Sequence, residues 1–308
     1  MPESTRPRVC GIGIATLDYL FVSAVAAPGG QAPMREHAVE GGGLVATALV
    51  ASARLGARAE LRSWIGRDAE GEAVLEGLRR EGVDTAHVRA LPGEHTGVAF
   101  IHVEEGTGER TIYFSGIPRV SEAGQAEMAE LPLECEGLVV DAIWPQASLR
   151  AARQALAKGI PVVGDFWPGP ETMELASLMT ALIVPRAGAE RLAPGATWAD
   201  RLRLLADMGA AFVAITAGGE GCYYIGDEGV CNQPAFPVAI SDTTGAGDVF
   251  HGAFAYALGR KWPAGRAVEF AAAVAALSCR ALGGRRGIPT LEEACGFLRQ
   301  HGSGRWEW

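Results

Sequence analysis

The 308-residue sequence predicts an α/β protein: a mostly parallel sheet covered by helices on both faces, with a small β-sheet lid. Three observations predict this. As far as Thr216, short apolar runs alternate with longer stretches of helical period, the rhythm of a covered parallel sheet. Residues 96–116, TGVAFIHVEEGTGERTIYFSG, read instead as two alternating strands joined by a Gly-containing turn, a hairpin. Residues 18–40 also break the rhythm, with Pro28, Gly29, Gly30 and Pro33 flanked by apolar residues.

The strand runs are VCGIGIA (9–15), AELRSWI (59–65), GLVVDAI (137–143), IPVVGDF (160–166), ALIVP (181–185) and AFVAIT (211–216). Helical patterns lie between them at 44–55, 70–82, 147–158 and 199–208, and the last third adds helices near 246–259, 264–281 and 290–299. No internal repeat or low-complexity tract interrupts the chain, so residues 1–308 form one domain, with 18–40 and 96–116 as its projecting sheet.

Composition narrows the partners. With 27 basic against 36 acidic side chains and a net charge of −9, the chain repels polyanions and nucleic acid is not expected. The start, MPESTRPRVCGIGIATLDYLF, lacks the charged region and long apolar run of a secretory signal. The later apolar stretches are too short or too interrupted to span a bilayer. A cytoplasmic protein with no membrane partner is expected. The cysteines at 10, 135, 222, 231, 279 and 295 form no C-x-x-C pair, so free thiols are expected.

The stretch SDTTGAGDVFHGAF (241–254) carries chemistry. From Val249 onward it has helical period, and Thr243 or Thr244 is positioned to cap the helix start. Backbone N–H groups of Gly245, Ala246 and Gly247 then point out of a helix N-terminus, an anion-binding arrangement. Asp248 sits in the first turn, where its charge would repel a bound phosphate. It makes sense as a base for a hydroxyl lying between the two: the carboxylate takes the proton while the oxygen attacks a phosphoryl group. Asp242 either holds the turn or reaches a metal-bound water. His251 is expected to pack or to support this site rather than act as the base, and Asp68 to cap the helix that follows it. Gly11 and Gly13 lack the third glycine of a dinucleotide fingerprint, and no Walker-type loop is present.

DTTGAGDVFHGAFAYAL resembles the C-terminal signature of the ribokinase-like, or PfkB, family of small-molecule kinases. EGGGLVATALVASARLGARAELRSWIGRDAEG (40–71) resembles the family's N-terminal signature. GIGIATLD (11–18), ITAGGEG (215–221) and GGRRGIP (283–289) are similar to further family segments, in the family's order. The resemblance implies a ribokinase-like three-layer sandwich and an ATP- and Mg²⁺-dependent carbohydrate kinase. By the same resemblance Asp248 is the base, and Gly245, Ala246 and Gly247 are the anion hole. Asp18, Gly42 and Gly43 face the acceptor; Thr216, Gly218 and Gly221 border the nucleotide, with 279–287 nearby. It further implies that 18–40 and 96–116 form a β-sheet lid through which a homodimer assembles.

Two departures from the family pattern stand out. Ala46 occupies a position where many family sugar kinases have asparagine. The N-x-x-E associated with magnesium is missing: Pro185, Arg186, Ala187 and Gly188 follow the strand, with Glu190 beyond, so the metal ligands are unknown. The GGG…ATA form looks closest to the branch containing sulfofructose kinase, near ketohexokinase-like enzymes. An anionic head group would need donors such as Arg35, Arg110 or Arg119. The expected activity is transfer of the ATP γ-phosphate to a hydroxyl of a hexose or ketose. The alternatives are a nucleoside kinase, for which Tyr19, Phe21, Phe100 and Phe114 are candidate stacking partners, and a non-catalytic ligand sensor.

Overall fold

A computed structural model describes residues 6–26, 29–106, 110–304 and 306. Pro28, residues 107–109 of the hairpin turn and the terminal Trp308 lie outside the described residues. The strands are β1 (Arg8–Ile12), β2 (Thr16–Ser23), β3 (Glu36–Gly42), β4 (Arg58–Gly66), β5 (Val83–Leu91), β6 (Gly97–Glu104), β7 (Arg110–Ser115), β8 (Gly137–Val140), β9 (Val162–Gly164), β10 (Ala181–Pro185), β11 (Phe212–Thr216), β12 (Cys222–Gly226) and β13 (Gly229–Gln233). The helices are α1 (Leu44–Arg54), α2 (Ala69–Arg80), α3 (Glu122–Glu130), α4 (Pro145–Ala157), α5 (Met173–Ser177), α6 (Arg186–Leu192), α7 (Trp198–Ala206), α8 (Ala246–Gly259), α9 (Ala264–Ser278) and α10 (Leu291–His301).

Nine strands form the main sheet in the order β13-β12-β11-β10-β9-β8-β1-β4-β5. It is parallel from β5 to β11, and the β11–β12 and β12–β13 pairings are antiparallel. Successive strand residues point to opposite faces, so each strand feeds two cores. Val9, Val139, Val163 and Ile183 pack with α1, α8, α9 and α10, whereas Cys10, Leu138, Val162 and Leu182 pack with α3, α4 and α7. Three layers result. Helix α8 is buried almost all round: a Cβ on Gly252 would lie 2.0 Å from the Ala48 carbonyl oxygen of α1, so only glycine permits that crossing.

The small sheet has the order β3-β2-β6-β7. Strands β2 and β3, like β6 and β7, pair antiparallel, and β2 and β6 pair parallel. One face is apolar and covered, with Leu20, Ala38, Ala99, Ile101 and Val103 packed around Leu282. On the other face Val39, Tyr19, Phe100 and Tyr113 lie in register across all four strands.

Several details correct the sequence reading. Strand β1 ends at Ile12, where the chain leaves the main sheet because the Ile14 N–H is captured by Asp141 Oδ2 at 2.7 Å. Asp18 therefore sits within β2 of the small sheet, beyond the first main-sheet strand. The reading also lacked β5, β12, β13 and the helices α3, α5 and α6. Strands β12 and β13 flank Asp227-Glu228, a polar turn whose hairpin signal is weak. Helices α5 and α6 are 5 and 7 residues long, too short to display a helical period. The cysteines are free, and all but Cys231 are buried. Trp306 packs on Trp262 and Phe270. Among the described residues no helix is long and apolar enough to cross a membrane.

Candidate active site

The 241–248 turn is shaped by a glycine rather than by a threonine cap. Gly245 is the N-cap of α8, in the left-handed region at φ 70°, and no side chain bonds to the first-turn N–H groups. The expected capping by Thr243 or Thr244 does not occur. Thr244 is turned away: its hydroxyl donates to Asp242 Oδ1 at 2.8 Å, as does its backbone N–H. A cap would have occupied the donors that an anion needs. Asp242 Oδ2 accepts from the Gly283 N–H at 2.8 Å. Buried Asp242 thus fastens the turn to the 283–286 segment, where Gly284 lies so close that a Cβ on Gly245 would be 2.8 Å from its Cα.

Asp248, half-buried, follows these donors. Burial pushes its carboxyl well above the usual range, and the charges of Asp165 and Asp18 push it the same way; Arg110 and Arg285 oppose the shift. Asp165, just beyond β9, is buried and itself raised by burial, with His251 opposing. Its Oδ2 makes no hydrogen bond and lies 3.4 Å from His251 Nδ1. The His251 ring bridges the Gly247 carbonyl at 2.7 Å and the Ile183 carbonyl at 3.0 Å, bracing the turn against β10.

On β3 of the small sheet, two adjacent glycines admit two side chains from opposite faces. A Cβ on Gly42 would meet Asp18 Oδ2 at 2.1 Å; one on Gly41 would meet Arg285 Nη1 at 2.1 Å. Arg285, buried, donates to the Gly42 carbonyl at 2.7 Å and to Thr47 Oγ1 at 3.2 Å. Asp18 Oδ1 accepts from Thr16 at 2.7 Å, and burial raises its carboxyl. Gly43 is the N-cap of α1 at φ 91°, with the Ile14 carbonyl oxygen 2.5 Å from where its Cβ would be. Its close approach is thus to the β1–β2 turn.

A cavity of about 730 Å³ opens on the other side of the turn. Thr216, Gly218 and Gly221 line it from β11 and the loop that follows, and Thr243, Ala246 and Gly247 line it from the turn. Gly221 is at φ 95°, with the Gln233 carbonyl 2.0 Å from its Cβ position, so the loop closes onto β13 only with glycine there. The sequence-derived nucleotide residues thus border one cavity with Ala246 and Gly247 of the anion residues, whereas Gly245 does not line it; Asp18 and Asp248 lie near enough to interact. Cys279 also lines the cavity, whereas Glu190 is exposed on α6 and does not. Trp167, just beyond β9, stands against Gly188 and Arg191 of α6. Asp68 caps α2, accepting from Gly71 N–H at 2.9 Å, and also binds Thr96 at the root of the small sheet. Sequence reasoning did not single out the bracing roles of Asp141 and Arg285; no local motif signals them.

The chain is 30% identical over 312 aligned positions to the ribokinase of Haemophilus influenzae, covering 95% of this chain and 99% of that one. Its fold is shared with the ribokinase of Arabidopsis thaliana complexed with ribose and ATP (TM-score 0.80, 23% identity, 96% and 99% of the two chains). It is shared about equally with a Burkholderia thailandensis nucleoside kinase in complex with inosine (TM-score 0.79, 19% identity, 96% and 98%). A model of the pfkB family of carbohydrate kinases matches residues 7–291, nearly the whole chain, and the protein belongs to that family.

Proposed function

We propose that this chain transfers the γ-phosphate of ATP to a hydroxyl of a hexose or ketose. The observation that carries the reading is the placing of a raised carboxylate, Asp248, directly after the N-cap Gly245 and the first-turn residues Ala246 and Gly247, whose N–H groups no side chain caps, although the Ala246 N–H leans on the Thr243 carbonyl at 3.3 Å. Asp18 orients the acceptor. Asp248 takes the proton of the acceptor hydroxyl as its oxygen bonds to the γ-phosphorus. The bond from that phosphorus to the bridging oxygen breaks, and ADP leaves. N–H groups of Gly245, Ala246 and Gly247 receive the charge spread over the transferring oxygens. Thr216, Gly218 and Gly221 border the nucleotide. A raised carboxyl suits a base, since the stronger base takes the proton more readily.

Mg²⁺ would neutralise phosphate charge. Among the described residues no group of three or more His, Cys, Asp or Glu can hold a metal; the ion would be carried chiefly on the nucleotide's own phosphates. Asp165, with Oδ2 free of hydrogen bonds, is the side chain that would reach its water shell.

A sugar is favoured over a nucleoside by the alternation of the lid strands. Tyr19 and Phe100 pair and stack at 5.0 Å on the face opposite Asp18, and Phe21 shares that face. Phe114, in the row of Asp18 and Ala99, is alone among the four candidate aromatics on the cleft side. The intact base and turn argue against a non-catalytic sensor. An ADP-release screen across ketoses, aldoses, sugar phosphates, sulfosugars and nucleosides tests the reading: turnover of a neutral hexose or ketose is expected. Turnover of nucleosides alone, or ligand binding without any turnover, would overturn it.

The same alternation supports a homodimer of this cytoplasmic enzyme through the lids. The outer row exposes 56% of Val39, 49% of Phe100 and 66% of Tyr113, a patch of apolar surface that a second copy would cover. Tyr113→Glu is expected to yield monomers in sedimentation; a wild-type monomer would refute the assembly.

A further inference from the structure

The phosphoryl route is crowded with negative charge. Asp18 and Asp165 both act on Asp248 there, and a nucleoside triphosphate would add more negative charge. Backbone N–H groups bring only partial positive charge to that point. Among the described residues two cations line the neighbouring cavity, Arg110 and Arg186. Arg186 is already committed: its guanidinium pairs with Glu220 and donates to the Ala217 carbonyl at 3.1 Å.

Arg110 differs. It begins β7 of the lid and reaches across to the anion-binding turn, where Nη1 donates to Thr243 Oγ1 at 2.6 Å. Among the described residues no carboxylate lies within ion-pair distance of it. Its partner is thus a neutral hydroxyl, two residues before the N-cap of α8. Strand alternation puts Ile112 and Phe114 on the same face of β7, so that the face turned to the cleft is apolar toward the acceptor and cationic toward the nucleotide. As a donor for an anionic acceptor head group, the role suggested by the sequence, Arg110 is misplaced: it borders the nucleotide cavity.

We propose that Arg110 is a further catalytic residue, the lid's cation for the terminal phosphates of the nucleotide and for the phosphoryl group in transfer. This rests on the kinase reading above. A guanidinium offers a planar fork that fits phosphate oxygens, and its hydrogen bonds to an anion are about twice as strong as those to a neutral hydroxyl. Terminal phosphate therefore displaces Thr243 as the partner. Because Arg110 belongs to the lid, the same contact couples lid closure to occupation of the phosphate site, and closure excludes water as a competing acceptor. No atom is transferred to or from Arg110; the proton still goes to Asp248.

The test compares wild type, Arg110→Met and Arg110→Lys. Calorimetry with ATP, ADP and AMP, each with Mg²⁺, reads the contact, and steady-state ADP release with the sugar found by the screen reads catalysis. Arg110→Met is expected to lower kcat about 10- to 100-fold. The acceptor KM should stay within about twofold, and ATP should weaken markedly more than AMP. Arg110→Lys should restore part of both losses, since it keeps the charge without the fork. A kcat within about twofold of wild type, equal weakening of ATP and AMP, or a loss confined to acceptor KM would each overturn the assignment. Wild type that neither binds ATP nor turns over any sugar would instead bring down the kinase reading, and this inference with it.

Discussion

The 241–248 turn and the lid sheet border the same cleft but are held in opposite ways. The turn is locked. Asp242 spends its oxygens on the Thr244 backbone, the Thr244 hydroxyl and the Gly283 N–H, and His251 ties Gly247 to β10. The lid edge is loosely held: all six residues of β7 are exposed, and Arg110–Thr243 is its bond to the turn. The difference fits the roles proposed above for the two regions. Donors for a developing charge work best when they need no rearrangement, whereas a cover must admit and release ligands.

Breaking the locked side should have the largest effects. Asp248→Asn should cut kcat by about 10²–10⁴-fold or more while ATP affinity in calorimetry changes little; retained turnover would mean that another group is the base. Gly245→Ala comes next. An L-residue in the left-handed region costs about 1–2 kcal/mol, and the new Cβ meets Gly284 at 2.8 Å. A kcat lower by about 10-fold or more is expected, together with a lower thermal midpoint. A silent substitution would show that the turn tolerates movement.

Changes on the lid should be smaller and should fall on binding. Phe114 is 72% exposed on the cleft side. Phe114→Ala should raise the acceptor KM several-fold, by about 1 kcal/mol of lost apolar contact, with kcat nearly unchanged. A fall in kcat equal to that of Gly245→Ala would erase the distinction between the two regions.

A separate prediction concerns pH and stability rather than rate. Asp141, wholly buried where β1 leaves for the lid, accepts from the Ile14 and Ile143 N–H groups, and burial pushes its carboxyl up to about 7. A folded-state value above the unfolded one means that the native state holds the proton longer. Stability should therefore be greatest near the ordinary carboxylate range and fall as pH rises toward about 7, by at most on the order of 4 kcal/mol for this group. Asp18, Glu40, Asp165 and Asp248 are shifted in the same direction. Thermal midpoints measured from pH 4 to 8 check the sign; a rise across that window would contradict it.

The layered architecture was legible because its signals are local. Helix α8 starts and ends where its apolar period does, at 246 and 259, and the hairpin of β6 and β7 follows from alternation and a glycine turn. The short helices α5 and α6 were not legible, because their positions depend on packing between strands rather than on a pattern of their own.

Sequence by itself determined the alternation of strands and helices, the glycine turn that opens α8 and the presence of a carboxylate in its first turn. These rest on backbone preferences and on periodicity over a few residues. Tertiary structure alone decided which carboxylate is free and which is tied: Asp242 is bonded at both oxygens, while Asp248 faces Asp165 and Asp18. It also placed Asp18 on the lid and brought Arg110 to Thr243 across 133 residues of chain. The physical reason is that burial and long-range charge shape a side chain's chemistry, and neither is set until distant segments have packed.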